Sequence, residues 1–145
     1  MKLSTKSRYS VRLMMDLALH GAEGFVLLKD VALRQGISEK YLGHLVPLLK
    51  SAGFIRTERG AKGGFALIKD PKEISLKDII EATEGTVCLV ECVKDPGSCK
   101  RAAHCAAYDF WGDVSADVKS VLEKYKLSDF VEKQRSKDQV DGYSI

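Results

Sequence analysis

Apolar residues recur every three to four positions along most of the chain, which predicts a mainly helical protein. Three helices are predicted in the first third of the sequence, over residues 10–20, 29–35 and 39–52. A short extended segment, 25–28, separates the first two. Ser38 is a typical N-cap for the third helix. Gly36 and Gly53 are typical of positions that follow a helix end, because glycine tolerates positive φ.

A small hairpin is predicted after the third helix. Residues 55–58 and 65–68 are strand candidates, and the intervening RGAKGG is rich in glycine, as the tip of a hairpin requires. Asp70 and Pro71 then form a turn. Ser75 and the acid three residues later have the spacing of a capping box, which predicts a helix over 76–84 that ends before a glycine.

A long helix is predicted over residues 106–125. Its apolar positions alternate three and four residues apart, at Trp111, Val114, Val118, Val121 and Tyr125. About 20 residues at 1.5 Å each give a helix roughly 30 Å long with a narrow apolar seam. This seam is expected to pack against the same helix of a second copy, against the chain's own first helix, or against both. A final short helix is predicted over 129–133, and the polar residues 134–145 are expected to fray.

The second and third helices have the pattern of a helix-turn-helix. Small or apolar residues and a turn glycine occupy the required register, namely Val31, Ala32, Gly36, Ile37, Leu42 and Leu45. The alternative is a plain helical hairpin. Together with the glycine-rich hairpin, the pattern predicts a winged helix-turn-helix over residues 1–85, in a fold that is mainly α with a small β-wing.

In this fold the exposed start of the third helix faces the major groove of DNA. Lys40 is suited to guanine or a phosphate, and His44 can donate to a base edge. The wing tip, with Arg59 and Lys62, can reach phosphates or a narrow minor groove. For each residue a plain solvated role is the alternative. The candidate DNA contacts are Arg8 and Tyr9 just before the first helix, then Ser38, Glu39, Lys40, Tyr41, Gly43, His44, Arg56, Arg59 and Lys62.

Charge is distributed unevenly along the chain. Residues 1–64 contain eleven Lys and Arg against five Asp and Glu, a net charge of +6, whereas the rest contains twelve against fifteen, −3, so that the whole chain carries +3. This indicates a polyanionic partner, double-stranded DNA, for the first half only.

Composition excludes a membrane protein. The chain of 145 residues is 45% hydrophobic and 30% charged, and no apolar run approaches the roughly 18–20 residues that span a bilayer. The basic N-terminus is followed by no apolar segment of a signal peptide, so a cytoplasmic location is expected. In that compartment the four cysteines are expected to be reduced thiols, metal ligands or redox groups rather than disulfides.

Three cysteines lie in a polar, turn-rich segment, predicted as a loop over residues 86–105. Cys92, Cys99 and Cys105 have the spacing C-x6-C-x5-C. Thiolates are soft donors that bind iron well, and nearby lysines and arginine favour the thiolate form. Zinc is the chemical competitor, but its closely spaced cysteine pairs are missing.

The chain resembles the IscR- and NsrR-type bacterial winged-helix regulators, the Rrf-type family. The opening KLSTKSRYSVRLMMDLA, the segment VALRQGISEKYLGHLVPLLKSAGFIRTERGAKGGFAL and the three-cysteine loop carry the resemblance, which extends to about residue 133. It implies a homodimer built on the long helix, within a dimerisation region of residues 106–133. It also implies an iron–sulfur cluster held by Cys92, Cys99 and Cys105, with [2Fe–2S] favoured over [4Fe–4S]. Arg59 matches the family's minor-groove arginine.

The fourth cluster ligand departs from the family pattern. Position 108 is Tyr108 where members often have histidine, and position 8 is arginine where some use an aspartate from the other subunit. His104, Cys88, Glu91, Asp109 or a solvent molecule are the substitutes. Cys88 lies in the apolar stretch VCLV and is expected to face apolar neighbours.

These patterns predict a homodimeric transcription regulator that senses iron–sulfur, redox or nitrosative status, with the iron–sulfur assembly machinery as a further partner. A cluster-free regulator that acts through thiol oxidation or a partner protein is the nearest alternative. An electron-carrying iron–sulfur protein would have no use for a basic wing. The scattered histidines give no catalytic arrangement, so an enzyme is not expected.

Overall fold

The computed structural model describes residues 2–143, and it confirms the predicted fold class. Seven α-helices and a two-stranded antiparallel sheet follow one another in the described chain. They are α1 (Thr5–His20), α2 (Leu28–Gln35), α3 (Glu39–Ser51), β1 (Ile55–Glu58), β2 (Gly64–Leu67), α4 (Leu76–Glu84), α5 (Glu91–Lys94), α6 (Ala106–Lys124) and α7 (Leu127–Tyr143). No helix within residues 2–143 is long and apolar enough to cross a bilayer.

The core lies where α1 meets α3 and α4. Leu13, Met14 and Leu17 form the buried face of α1, and all three are almost completely excluded from solvent. Leu42 and Leu45 of α3, two positions of the predicted helix-turn-helix pattern, are equally buried. Because this face of α3 is fixed, its opposite face is presented to solvent.

The wing pairs β1 with β2, and Ile55 lies opposite Leu67. A further bridge joins Phe65 to Val26 in the connection before α2. Gly64, at φ 142°, makes this bridge close, because a Cβ atom there would lie 2.4 Å from the Val26 carbonyl oxygen. The second strand therefore begins at Gly64, one residue earlier than predicted.

The first helix begins at Thr5, five residues earlier than predicted. Ser4 is its N-cap, with Oγ accepting from the Ser7 amide at 3.5 Å. Arg8 and Tyr9 consequently lie inside α1 and not before it, which corrects their predicted placement. The polar Ser7 faces the interior, and a buried serine hides the apolar periodicity on which a helix prediction depends.

The C-terminal segment also differs from the prediction. The expected frayed residues 134–145 are helical as far as Tyr143 in the described chain, and the helix begins at Leu127 rather than after Ser128. Leu127 and Val131 anchor it in the core. Beyond them, Gln134 donates to Asp138 at 2.8 Å across one turn, a local stabilisation that apolar periodicity does not reveal.

Candidate DNA-binding face and cysteine loop

The first turns of α3 present an exposed polar surface. Ser38 caps the helix by accepting from the Tyr41 amide at 3.1 Å, so its hydroxyl is already engaged. The exposed residues on this surface are Glu39, Lys40, Gly43 and His44. The sequence-predicted contacts of α3 therefore share one solvent-facing side, except that Tyr41 is half-buried.

The turn before α3 is built by Gly36 and Ile37. Gly36 has φ 64° and ψ 35°, the left-handed conformation that favours glycine. Ile37 donates its amide to the Ala32 carbonyl at 3.2 Å, and its side chain is buried. This geometry confirms the predicted turn between the two helices.

A polar cluster around the buried Asp16, which we call the buried polar cluster, holds α1 to α2; its other members are the half-buried Arg12 and Gln35 and the exposed Arg34. Asp16 accepts from Arg34 Nε at 3.0 Å and Nη2 at 2.7 Å, and from Gln35 Nε2 at 3.0 Å. The Asp16 side chain is 1% exposed and that of Arg34 36%. The hydrogen bond to Asp16 raises the pKa of Arg34 above its ordinary value.

Arg12 extends this buried polar cluster to the helix-turn-helix turn. Its guanidinium donates to the carbonyl oxygen of Gln35 and, at 3.2 Å, to Gln35 Oε1. The same guanidinium lies 5.4 Å from the ring centroid of Tyr9. The Tyr9 ring meets the Tyr41 ring edge-on at 5.6 Å. A continuous set of contacts therefore links the interior carboxylate of Asp16 to the start of α3.

The sequence reasoning overlooked the buried polar cluster. Asp16 interrupts the apolar face of α1 between Leu13 and Leu17, and a carboxylate on a buried face requires a cationic or hydrogen-bonding partner. That interruption was a usable signal. The identity of the partner, Arg34, depends on the crossing of α1 and α2 and is not visible in either segment alone.

The wing places two cations at its tip. Arg59 and Lys62 are exposed, and so is Arg56 on β1, whose guanidinium carbon lies 4.9 Å from the centroid of the Phe25 ring. The tip is held by Gly63, where a Cβ atom would lie 2.2 Å from the Glu58 carbonyl oxygen. The side chains at the tip therefore extend from a turn whose backbone is closely packed.

The cysteine loop, residues 86–105, connects α4 to α6. Cys92 lies on the short helix α5, Cys99 follows a 3-10 turn, and Cys105 immediately precedes α6. All four cysteines are free and half-buried. Within residues 2–143, no three His, Cys, Asp or Glu side chains are grouped closely enough to hold a metal ion.

Cys88 is turned toward α6. Its Sγ lies 3.3 Å from the Val90 carbonyl oxygen and 3.9 Å from Ser115 Oγ. Ser115 is 3% exposed and accepts from the Leu89 amide at 3.3 Å. This arrangement attaches the first part of the cysteine loop to α6. The other candidates for a fourth ligand, His104, Glu91 and Asp109, are exposed.

One face of α6 is apolar and uncovered in the single chain. This apolar strip consists of Phe110, Trp111, Val114, Val121 and Tyr125, each between 41% and 68% exposed. The helix packs against α4 and α5, and its buried residue is Ser115 rather than a member of the strip. The second predicted arrangement, packing against the chain's own first helix, does not cover this apolar strip.

Comparison with known proteins places these features in a family. The family profile described as "Rrf2: Iron-dependent Transcriptional regulator" matches residues 3–133. The chain is 39% identical to the protein rrf2 of Nitratidesulfovibrio vulgaris, over 90% of this chain and 87% of the relative. It is 37% identical to the HTH-type transcriptional regulator IscR of Aliivibrio salmonicida, over 90% of this chain and 77% of the relative.

Several solved structures are also similar to this chain in fold and in sequence. CymR (YrzC), described as the global cysteine regulator of B. subtilis, has a TM-score of 0.74 at 35% identity and covers 92% of this chain and 98% of its own. IscR of T. potens has a TM-score of 0.73 at 35% identity, with 92% and 88% covered. The oxidized form of Staphylococcus aureus CymR has a TM-score of 0.69 at 36% identity, with 91% and 97% covered.

Proposed function

We infer that the chain, which belongs to the Rrf2 family of transcriptional regulators, is a DNA-binding regulator and not an enzyme. We propose further that it works as a homodimer. In this proposal an iron–sulfur cluster controls its DNA affinity or its choice of DNA sequence. The observation that carries the proposal is the position of the cysteine loop. It lies between α4, which completes the DNA-binding domain, and α6, which carries the apolar strip.

The homodimer rests on the apolar strip of α6. A contiguous run of exposed large apolar side chains on one helix face is typical of an interaction site. Trp111 and Val114 lie three residues apart, Val121 and Tyr125 four apart, and the two pairs are one heptad apart, which suits the pairing of two antiparallel or parallel helices in a narrow seam. Two copies joined in this way present two α3 helices to DNA, and such dimers bind half-sites about 34 Å apart.

The DNA contacts we propose lie on three elements. Lys40 and His44 of α3 face the major groove, and Arg59 and Lys62 of the wing reach the neighbouring phosphates or minor groove. Arg8 joins them from the exposed side of α1. Tyr9 and Tyr41 contact each other, so we assign them to the orientation of α3. Both rings are only half-buried, and we propose that an exposed ring edge also contacts the DNA backbone.

Cys92, Cys99 and Cys105 are the residues that would hold the cluster. Their chemistry fits: three soft donors lie on one connecting segment outside the core, and the flanking Lys94 and Lys100 are exposed cations that offset negative charge. When bound, the group supplies sensitivity to oxygen species, nitric oxide or iron supply. We favour [2Fe–2S] over [4Fe–4S] and expect the assembly machinery of such clusters to be the donor.

Cys88 is the weakest of the proposed substitutes for the fourth ligand. Its sulfur contacts Val90 and Ser115 on the side facing α6. The exposed His104, Glu91 and Asp109, or a solvent molecule, are the other candidates that would complete the ligand set. The family name "Iron-dependent" and the IscR relatives support this assignment of the loop.

A cluster-free thiol regulator is the second candidate function. The specific observation in its favour is the likeness to CymR, one structure of which is described as an oxidized form. In that case two of the four half-buried thiols would respond directly to an oxidant. Anaerobic purification separates the two functions, since a colourless, iron-free dimer that still binds DNA supports the second.

The test of the proposed function is a pair of DNA titrations on one duplex. The protein is prepared anaerobically with its cluster, quantified by iron and sulfide content, and then without it. A change in Kd between the two forms supports control by the cluster. Equal Kd values would refute it, and a C92A/C99A/C105A variant that binds no iron serves as the control for the cluster-free form.

A further inference from the structure

The first turn of α1 and the last residue of α4 are joined by a compact set of hydrogen bonds. Glu84 Oε1 accepts from the Ser4 amide at 2.8 Å, from Ser4 Oγ at 2.5 Å and from Ser7 Oγ at 2.5 Å. Ser7 Oγ also lies 2.8 Å from Thr83 Oγ1, and both of these residues are buried. The start of α1 is therefore fixed in position relative to the end of α4.

Glu84 also supplies a charge that α1 lacks. The first turn of α1 contains no acidic residue, and a negative charge there is favourable because the amide ends of a helix are partially positive. The hydrogen bonds from Ser4 and Ser7, with the nearby Lys6, lower the pKa of Glu84 below its ordinary value. The carboxylate is thus ionised at neutral pH and completes the N-terminus of a helix distant in sequence.

The position of Glu84 along the chain gives this contact a second consequence. The next residue, Gly85, leaves the helix with φ 87° and ψ −168°, and the cysteine loop follows it directly. On the other side, one turn of α1 beyond Ser4, lies Arg8, which we assign to DNA. One side chain therefore connects the start of the cysteine loop to a DNA-contacting turn.

We propose that Glu84 is the positioning residue through which the cysteine loop controls DNA binding. It touches neither DNA nor the cysteines. Rearrangement of the loop displaces Gly85, and Glu84 then changes its hold on Ser4 and Ser7. The first turns of α1, with Arg8, shift relative to the phosphate backbone. This inference rests on the proposed function, because it requires two states of the loop with different DNA affinity.

The experiment compares Glu84→Ala with the wild-type protein in the cluster-loaded and cluster-free forms. The readouts are the ratio of the two Kd values on one duplex and the hydrogen-exchange rates of residues 4–9. If the wild-type ratio is roughly fivefold or more, as is usual for allosteric coupling, we expect Glu84→Ala to reduce it to about one. Exchange in residues 4–9 should become fast in both forms.

Three further variants make the result specific. Glu84→Gln keeps the accepting oxygen and should retain part of the ratio, whereas Glu73→Ala, an exposed carboxylate on a 3-10 turn, should leave it unchanged. Should Glu84→Ala unfold, Ser4→Ala at an exposed position removes one of the three hydrogen bonds to Glu84, together with the N-cap bond from the Ser7 amide, and is expected to lower the ratio. Iron content and dimer mass should match the wild-type protein throughout.

The outcomes separate the inference from the function on which it rests. A wild-type protein whose Kd is the same in both forms refutes the proposed switch and this inference with it. A wild-type protein that switches, together with Glu84→Ala and Ser4→Ala variants that switch equally, refutes the inference alone.

Discussion

The buried polar cluster around Asp16 makes a quantitative prediction about stability. In Asp16→Asn the side chain keeps its shape but loses the charge that Arg34 and Gln35 contact through three hydrogen bonds. Removing one member of a buried ion pair costs about 3–5 kcal/mol. Because the Arg34 side chain is 36% exposed, water recovers part of its solvation, and we expect a loss nearer to 2–3 kcal/mol.

The assay is unfolding in urea or by heat, at one fixed protomer concentration because the proposed dimerisation would contribute to apparent stability. For a chain of about 150 residues, a loss of 2–3 kcal/mol corresponds to a fall in Tm of about 5–10 °C. Asp30→Asn is the matched control. Asp30 raises the pKa of Arg34 through its charge but has no side-chain hydrogen bond to it, so its replacement should cost less than about 0.5 kcal/mol.

DNA binding provides the second readout of the same variant. The buried polar cluster includes Gln35, the last residue of α2, and its contacts continue through Arg12 and Tyr9 to Tyr41 of α3. Asp16→Asn should therefore weaken DNA binding at temperatures where the protein is still fully folded. The reasoning is wrong if Asp16→Asn and Asp30→Asn unfold at the same urea concentration, since the three hydrogen bonds would then contribute nothing that water does not.

Three further predictions concern DNA contact, assembly and the wing. Replacing Lys40 and Arg59 together with Ala should weaken DNA binding and reduce the salt dependence of log Kd by about two, with Tm unchanged; an unaltered salt slope would remove both from the interface. Trp111→Asp on the apolar strip should convert dimers to monomers in analytical ultracentrifugation, whereas the exposed Asp117→Asn should not. Gly64→Ala should lower stability by more than about 1 kcal/mol in urea unfolding, since its Cβ would lie 2.4 Å from a backbone oxygen, and Gly60→Ala, with open space around it, should cost less.

The elements with local signals were predicted well. The capping box at Ser75 and Asp78 forms as expected, with hydrogen bonds of 3.0 and 2.9 Å in the two directions. Ser38 and Gly36 likewise fix the boundaries of α2 and α3 where the sequence placed them. In each case the information lies within four residues, so that no tertiary contact is needed to interpret it.

The predictions that failed concern elements whose boundaries depend on residues distant in sequence. The start of α1 was missed because Ser7 on its buried face is polar, and its partners Thr83 and Glu84 lie 76 and 77 positions away. The start of α7 was missed because Leu127 is buried in a core assembled from other helices. The same limit applies to the candidate site: the spacing of the cysteines identified the loop, but the contact of Cys88 with Ser115 required the position of α6.

The cysteine loop is attached at its first half to both parts of the molecule that DNA binding would depend on. Glu84 joins its beginning to α1, and the Leu89 amide joins it to Ser115 on α6. Between them, Val87 donates to Glu81 Oε1 at 3.3 Å, so the segment before Cys92 is held at three points. A structural change at Cys92, Cys99 or Cys105 therefore either leaves this held segment in place or moves α1 and α6 together. In the proposed dimer, α6 would set the spacing of the two DNA-binding domains, and α1 would set how closely each domain approaches the phosphates. A single event in the cysteine loop would therefore alter the domain spacing and the phosphate contacts together.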